Sequence, residues 1–598
     1  MDLADREKVR AHAHDRLRWN EAQASLFLKH KFSFFSFSER DFGPTVRWNY
    51  DYKSSIETPL AYGPSLDYRD ERRCGNIKYA WEHNRHHHLV ELAKACYLTG
   101  DRRYGDEVLG QVKSWIEQCP YPLGINWSSA LENAIRVINW CFVFEFLHAS
   151  GLNMLSENEQ LVRRWTLSVY QHLHFIRRNL SKYSSANNHL IGELSGLFIG
   201  SHCFRFAESG QWNALSRRLL EEEALKQNWP DGVNKEQAMS YQAFVFDFLL
   251  LASLLGKRSG KEFSPLFLER LERMAEYVSA MMSESAAIPR IGDDDDGYVV
   301  RLDFSKDFNQ YRSLLATCAA LFDRADLAEK GAVGDEKSFW LLGFPGVRAH
   351  DSASRREPER TAFESGGYYL LRSRDSRLIF DCGPLGYLSL AAHGHADALS
   401  VLLDYRGREF LVDPGTYAYH TDREWRDYFR GTSAHNTVRI EGRDQSVIGG
   451  SFLWTEKAEA QVISATGSSI RGRHMGYRRL PQRVTHEREI TFLELENSYS
   501  VTDRIFTRGE VLVEQFFHLA PDCRCEKDGE GYRIENGGAV IRIVPSPMIT
   551  QTEALRGSLE PRGGWYSPGF DRKSPTTTLR FSARVKTDAA IMTMIFLL

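Results

Sequence analysis

Three histidines and two aspartates fall within a short stretch: His393-Gly394-His395-Ala396-Asp397, then Val412-Asp413-Pro414-Gly415, then Ser433-Ala434-His435-Asn436-Thr437. The run Ala398 to Asp404, the turn Arg406-Gly407-Arg408 and the run Glu409 to Asp413 read as a β-hairpin, so these polar residues fall at strand ends and converge. Imidazoles with a carboxylate suit a borderline divalent ion such as zinc. His395, Asp413 and His435 are the expected ligands. The competing reading is that each caps or bridges strands by hydrogen bonding, as a lone histidine often does.

Two kinds of element must position such a group. From about residue 75 to 335 the apolar residues repeat with a helical period, in segments such as Leu89 to Leu98, Trp127 to Phe146, Leu161 to Ile176, Leu190 to Phe206, Ala243 to Leu255 and Leu268 to Met282. So many apolar helices need stacking as hairpins into an arc or toroid. After about residue 360 the period becomes two, in runs such as Gly367 to Ser373, Arg377 to Asp381, Ser451 to Trp454, Ile490 to Leu493, Val511 to Phe517 and Val540 to Val544. The expected division is a lead-in over 1–74 wrapping the helical domain, a helical domain over 75–350, and a domain of antiparallel sheets over 351–598. Asp351 to Thr361, rich in Arg, Glu, Ser and Pro, serves as the linker.

Composition narrows the class. With 598 residues, 42% hydrophobic and 26% charged, and with 35 Phe, 25 Tyr and 13 Trp, the chain has material for large cores and is no disordered polymer. A net charge of −3 excludes a generally basic nucleic-acid binder and leaves room only for a local basic cleft. The nine cysteines are scattered and read as buried thiols. The opening Met1-Asp2-Leu3-Ala4-Asp5-Arg6-Glu7-Lys8 lacks the apolar stretch of a signal peptide, and no run approaches the roughly 20 apolar residues of a membrane span. The sequence as it stands predicts a cytoplasmic protein without a membrane partner, unless an export signal has been trimmed. Oligomeric state is left open.

In the helical half, Ser184-Ser185-Ala186-Asn187-Asn188-His189 precedes an apolar helix and holds more polar groups than one N-cap needs. Asp231 to Gln242 is a turn leading into a helix, with Tyr241 in its first turns. Arg85, His87, Arg136 and the Arg177-Arg178-Lys182 run can line an anionic-substrate cleft or be solvated, and Trp81 and Trp127 can stack on sugar rings or fill a core. Glu193, one turn after His189, orients that imidazole or faces water. The acidic run Asp293 to Asp296 invites a calcium reading, but EF-hand spacing is absent and a loop accounts for it.

These pieces resemble the heparinase II/III family of polysaccharide lyases. The resemblance is carried by Val46-Arg47-Trp48-Asn49, Trp81-Glu82-His83-Asn84-Arg85-His86, Leu98-Thr99-Gly100-Asp101, Trp127 to Glu132, Asn187-Asn188-His189 and the His-Gly-His, Asp-Pro-Gly and Ala-His-Asn-Thr elements, in that order. It implies an N-terminal incomplete (α/α) toroid followed by a C-terminal antiparallel β-sandwich. It also implies cleavage of a uronic-acid polysaccharide, heparan sulfate-like or related, by β-elimination: loss of the C5 proton, departure of the O4-linked sugar, and a 4,5-unsaturated uronate product. By the same resemblance Asn188 and His189 neutralise the uronate carboxylate, Tyr241 is the acid or both acid and base, and His393 is the base or assists it. Tyr428 matches a second catalytic tyrosine of the alginate-cleaving branch. His395, Asp413 and His435 match zinc ligands with a structural role, and no organic cofactor is implied. Arg85, His87, Trp127, Arg136 and Glu193 complete the expected substrate-binding set. The site would be shared between domains. The alternatives are an alginate or oligoalginate lyase, a glycoside hydrolase, which needs two carboxylates about the scissile bond, and an inactive carbohydrate-binding protein.

Overall fold

The computed structural model describes residues 6–17, 19–332 and 334–598; Met1 to Asp5, the first residues of the expected lead-in over 1–74 and of the stretch read for a signal peptide, lie outside the described residues. The chain forms two compact units that interleave along the sequence. The first takes the described residues up to Lys226, Ala243–Ala275 and Gly297–Glu357; the second takes Gln227–Gln242, Glu276–Asp296 and Pro358–Leu598.

The first unit is helical. The helix Ala130–Ala149 packs on His87–Thr99, Glu159–Arg178 and Asn188–Cys203, while Arg102–Gln118 packs on His87–Thr99 and Glu159–Arg178. Their ends are set by short polar residues: Asp101 accepts from the Arg103 amide, Ser129 from Glu132 and Asn187 from His189, while Gly100 closes the first helix at φ 75°. The helix Asn188–Cys203 approaches Ala130–Ala149 closely through a row of glycines. A Cβ at Gly192 would lie 2.3 Å from Leu131, one at Gly196 2.4 Å from Ala134, and one at Gly200 2.6 Å from Val137, so no larger residue fits that seam. Trp48, Trp115, Trp127, Trp140, Trp165 and Trp340 fill the interior.

The second unit is built from three large antiparallel sheets. Five strands run from Ala362–Phe363 to Arg408–Leu411; eight strands include Ser469–His474, Thr485–Leu493, Ser498–Phe506 and Ala589–Leu597; and four strands run in the order Val438–Ile440, Val511–His518, Thr577–Val585, Gln551–Arg556. Alternate residues of these sheets, including Leu378, Phe380, Leu403, Ile490, Val501, Phe517, Phe581 and Ile595, meet in one apolar core, which is the packing of a sandwich.

The interleaving matters for function. Asp231 to Gln242 lies in the helical half of the sequence but folds with the strands: Asp231 Oδ2 accepts from the Gly366 amide at 2.9 Å, and Gln237 Nε2 donates to Gly366 O at 3.3 Å. Gln242 pins the same loop, accepting from Asn234 N at 2.6 Å and donating to Gly232 O at 3.0 Å. Tyr241, at the start of the helix Met239–Arg258, therefore belongs to the strand-rich unit. That helix also corrects an expectation about apolar runs. By length and composition it is apolar enough to cross a membrane, yet 89% of its apolar window is buried within the protein, as in a core helix.

A candidate active site around Asp293

The His-Gly-His loop has its shape because only glycine fits between the histidines. A Cβ on Gly394 would sit 1.4 Å from the Leu385 carbonyl oxygen, and the Gly394 carbonyl accepts from Trp454 Nε1 at 3.0 Å. Held this way, both flanking imidazoles reach one carboxylate. Asp293 Oδ2 bonds His393 Nδ1 at 3.0 Å, and Asp293 Oδ1 bonds His395 Nε2 at 3.0 Å. Arg426 donates to the same two oxygens, through Nη1 to Oδ1 and through Nη2 to Oδ2 at 2.8 Å. The loop registers are locked by the Asp293 amide, which donates to the His393 carbonyl at 2.9 Å. Asp293 is fully buried. Burial alone would raise its carboxyl, but Arg426 and the two imidazoles outweigh burial and hold it well below the usual carboxylate range.

On the other side of His393 lies Tyr241. The rings stack with centroids 3.8 Å apart at 18°, and the Tyr241 hydroxyl is 2.9 Å from the Tyr419 hydroxyl. Glu236 Oε2 stands 3.8 Å from His393 Nε2. Burial, and then the charges of Asp295 and Asp293, push the Tyr241 hydroxyl well above its ordinary value against the opposing hydrogen bond from Tyr419; burial does the same to Tyr419. Both hydroxyls carry their protons at neutral pH, so this pair is equipped to donate one.

Beside this cluster, His395, Asp413 and His435 come together as the sequence led one to expect, each buried, with one donor atom apiece within 4.8 Å of the others. Asp413 is fixed through Oδ1 by the Gly415 amide at 2.9 Å, in a turn where Gly415 has φ +78°. His435 is placed by its neighbour Asn436, whose Nδ2 bridges Val401 O at 2.8 Å and Val412 O at 3.0 Å, the two hairpin strands. His395 Nδ1 and His435 Nε2 are buried and have no hydrogen-bond partner among the described residues. Two unsatisfied imidazole nitrogens beside a carboxylate make a donor set that fits a divalent ion, and Asp293 on the far nitrogen of His395 is the partner a metal-bound imidazole needs.

Comparison with protein families accounts for both halves of the chain. Residues 4–319 match the model described as Heparinase II/III N-terminus, and residues 355–594 match Heparinase II/III-like, C-terminal. The chain belongs to the heparinase II/III family. Among its relatives, a protein named heparin-sulfate lyase from Bacteroides thetaiotaomicron is 24% identical over 64% of this chain and 55% of its own length. Another of that name from Pedobacter heparinus is 22% identical over 82% of this chain and 70% of its own. The chain thus spans little more than half of the first relative's length. Two solved structures share the fold: heparinase III, with a TM-score of 0.74 at 16% identity over 97% of this chain and 84% of that one, and the heparan sulfate lyase HepC mutant from Pedobacter heparinus, with a TM-score of 0.61 at 17% identity over 99% and 87%. The heparinase II/III architecture here is an (α/α) toroid followed by an antiparallel β-sandwich.

The other expected site residues are placed as follows. Asn188 is buried and His189 half-buried at the start of the helix Asn188–Cys203 in the helical unit. Glu193 is buried and turns to Ser181, accepting from its amide at 2.6 Å and its hydroxyl at 2.7 Å; burial pushes its carboxyl to about 8. It does not face water, and its two oxygens anchor the Ser181 turn ahead of the helix that carries His189. Arg136 and Trp127, expected to line a cleft, are core residues. Arg136 is 0% exposed and donates to Asn84 O, Asn133 Oδ1 and His172 Nε2, while Trp127, 1% exposed, packs on Tyr121 and His172 and donates to Cys119 O. Arg85 is equally inward, in a bidentate pair with Glu132 at 2.8 and 2.9 Å, and His87 Nδ1 stands 3.7 Å from Glu82. Tyr428 is buried in a separate aromatic cluster with Phe429 and Trp425, and Tyr419 is the tyrosine that meets Tyr241. Asp293, Tyr419, Glu236 and Arg426 were not foreseen as site residues.

Proposed function

We propose that the chain is a polysaccharide lyase acting on a uronic-acid-containing, heparan sulfate-like polysaccharide by β-elimination. The observation that carries this reading is the Tyr241 hydroxyl, bonded to Tyr419 and stacked on an imidazole that Asp293 orients. The names of the relatives, heparin-sulfate lyase, support the substrate class.

The chemistry divides among these residues. Asp293 accepts from His393 Nδ1–H, which leaves the lone pair on Nε2 for the C5 proton and stabilises the imidazolium that forms. The C5–H electrons become the C4–C5 double bond, the C4–O4 bond breaks, and Tyr241 gives its proton to the departing oxygen. Tyr419 holds the Tyr241 hydroxyl in place and can return a proton to it. The reading keeps Asn188 and His189 as the groups that neutralise the uronate carboxylate, an amide donor and an imidazole suited to charge developing on it. A divalent ion on His395, Asp413 and His435 would supply a structural tie between three chain segments.

A glycoside hydrolase would need a carboxyl held protonated as acid. Asp293, the carboxylate that meets His393, is held ionised by Arg426 and two imidazoles and so is not that acid. The alginate reading leaned on Tyr428, and that side chain packs away from Tyr241 and His393. Incubation with heparan sulfate, hyaluronan and alginate, followed by ultraviolet absorbance of the unsaturated product, tests the proposal. Absorbance should grow with heparan sulfate, whereas saturated reducing ends without absorbance would overturn it.

A further inference from the structure

The sequence led one to expect buried thiols, and six of the nine cysteines are buried; Cys203 is exposed and Cys141 half-buried. These two meet in the helical unit. The glycine row that seats the helix Asn188–Cys203 against Ala130–Ala149 advances turn by turn, Gly192 on Leu131, Gly196 on Ala134 and Gly200 on Val137. One further turn brings Cys203 to Cys141. There the two thiols hydrogen-bond each other. The helix end is fixed in place: the Phe204 amide donates to Gly200 O at 2.9 Å, and the Phe204 ring packs edge-on against Phe144 with centroids 5.1 Å apart.

Both cysteines line a cavity of about 400 Å³, whose walls include Phe142, Ile199, Leu254 and Trp340. That is ample room for a reagent little larger than water, whose share of liquid volume is about 30 Å³. The thiols are also unequal. The hydrogen bond from Cys141 lowers Cys203 below the ordinary thiol value, against burial and the Glu145 charge, while the same contact and then burial raise Cys141 well above it. Elsewhere burial pushes thiols up, Cys119 and Cys523 to about 12 and Cys525 to about 11. A cysteine that gives up its proton easily, beside a second one that keeps its own, is the pairing of an attacking thiol with a resolving thiol.

We propose that Cys203 and Cys141 are a peroxide-reactive dithiol that closes reversibly into a disulfide joining the helices Ala130–Ala149 and Asn188–Cys203. The Cys203 thiolate attacks one oxygen of hydrogen peroxide, the O–O bond breaks, and the departing hydroxide takes up the proton that Cys203 released, leaving a sulfenic acid and one water. Cys141 sulfur then attacks Cys203 Sγ, the S–O bond breaks, and the hydroxide leaves with the Cys141 proton as a second water. The two thiols are oxidised and the peroxide is reduced. The sulfurs must close from hydrogen-bond contact to about 2.05 Å, and the glycine seam keeps the two backbones near enough for that. This chemistry needs only the helical unit and does not rest on the lyase reading.

Treating the folded full chain with stoichiometric hydrogen peroxide tests it, read by thiol titration and by mass mapping of unreduced peptides. The parent should lose about two thiols and about 2 Da per chain, yield a peptide pair joined through Cys141 and Cys203, and regain both thiols with dithiothreitol. Cys141→Ser should strand the Cys203 sulfenic acid, trapped as a dimedone adduct at least about tenfold more abundant than in the parent. Cys203→Ser, a change at an exposed position, should fold as the parent does and keep its thiols. Absence of the joined pair in the parent, a disulfide between two chains through Cys203, equal dimedone labelling of parent and Cys141→Ser, or unchanged thiol loss in Cys203→Ser would overturn the proposal.

Discussion

Two groups of buried histidines, one in each unit, have opposite surroundings. In the helical unit His83, His86, His88 and His172 sit among Trp48, Trp115, Trp127 and Trp140 beside the Arg136 guanidinium. Burial lowers all four, His83 to about 4 and His88 to about 3, so they are neutral spacers: His172 Nε2 accepts from Arg136 at 2.9 Å, and His86 Nδ1 accepts from Trp140 Nε1 at 2.9 Å. In the strand-rich unit each of His393, His395 and His435 leans on a carboxylate. Convergence of three imidazoles on Asp293 and Asp413, rather than histidine content or one acidic partner, sets the candidate site apart from a pair such as His486 with Asp503. A neutral imidazole in an aromatic core is already satisfied, whereas one with a carboxylate on one nitrogen has its other nitrogen oriented for work.

Breaking the reactive group should cost activity first. Tyr241→Phe should lower turnover by about 10²–10⁴-fold with an unchanged melting temperature, and a variant retaining near-parental turnover would remove Tyr241 as the acid. Asp293→Asn should affect both properties, because Arg426 loses a fully buried partner and both imidazoles lose their anchor. The expected loss is about 3–5 kcal/mol in stability, together with turnover, as read by denaturant unfolding and kinetics on the folded fraction. His395→Ala should remove about one bound divalent ion per chain, measured by elemental analysis, and lower activity by about 10–100-fold; equal metal content in parent and variant would return these residues to hydrogen bonding.

On the other side of the comparison, His172→Phe should lower stability by about 1–3 kcal/mol, since Arg136 loses an acceptor, and leave turnover per folded molecule alone. Acid separates the groups by the same logic. The helical-unit histidines are harder to protonate folded than unfolded, so their contribution is whole above the unfolded value near 6.5 and fades as pH falls through the interval down to their folded values of about 4 and 3. Asp293, also depressed, contributes fully above about 3.9, its unfolded value, and loses that contribution only below it. Tryptophan fluorescence should therefore report loosening of the helical core between about pH 6 and pH 4, and a flat profile across that range would contradict the assignment of these histidines as neutral.

The legible parts of the sequence were those where spacing and chain geometry are tied. His-Gly-His, Asp-Pro-Gly and Ala-His-Asn-Thr could be placed because they lie in the loops around the hairpin of Val401–Tyr405 and Arg408–Leu411, and the fold brings His395, Asp413 and His435 together. Helix and strand runs were legible from their period; for example, Val511 to Phe517 became the strand Val511–His518. Asp293 was hidden inside four consecutive aspartates, which read as a solvated loop. The faint signal was Ile291-Gly292 before it: both are drawn in, Gly292 at φ +66° with only 2.5 Å from a Cβ to the Gln237 carbonyl, and the first aspartate follows them inside. Arg85 and Arg136 misled because a buried guanidinium with a carboxylate or imidazole partner has the same one-letter signature as a substrate clamp, and Trp127 took the core role of the two that a Trp can fill. Tyr419 was overlooked for Tyr428, because nothing in their spacing says which ring reaches a tyrosine 178 positions away.

The Asp293 carboxylate has one oxygen on His393 and the other on His395, with Arg426 astride both. A carboxylate is a rigid plane, so these imidazoles share a single degree of freedom: rotating the plane to favour one withdraws it from the other. A substitution selected for its effect at His395 is therefore inherited at His393, and the two positions can be improved only as a pair.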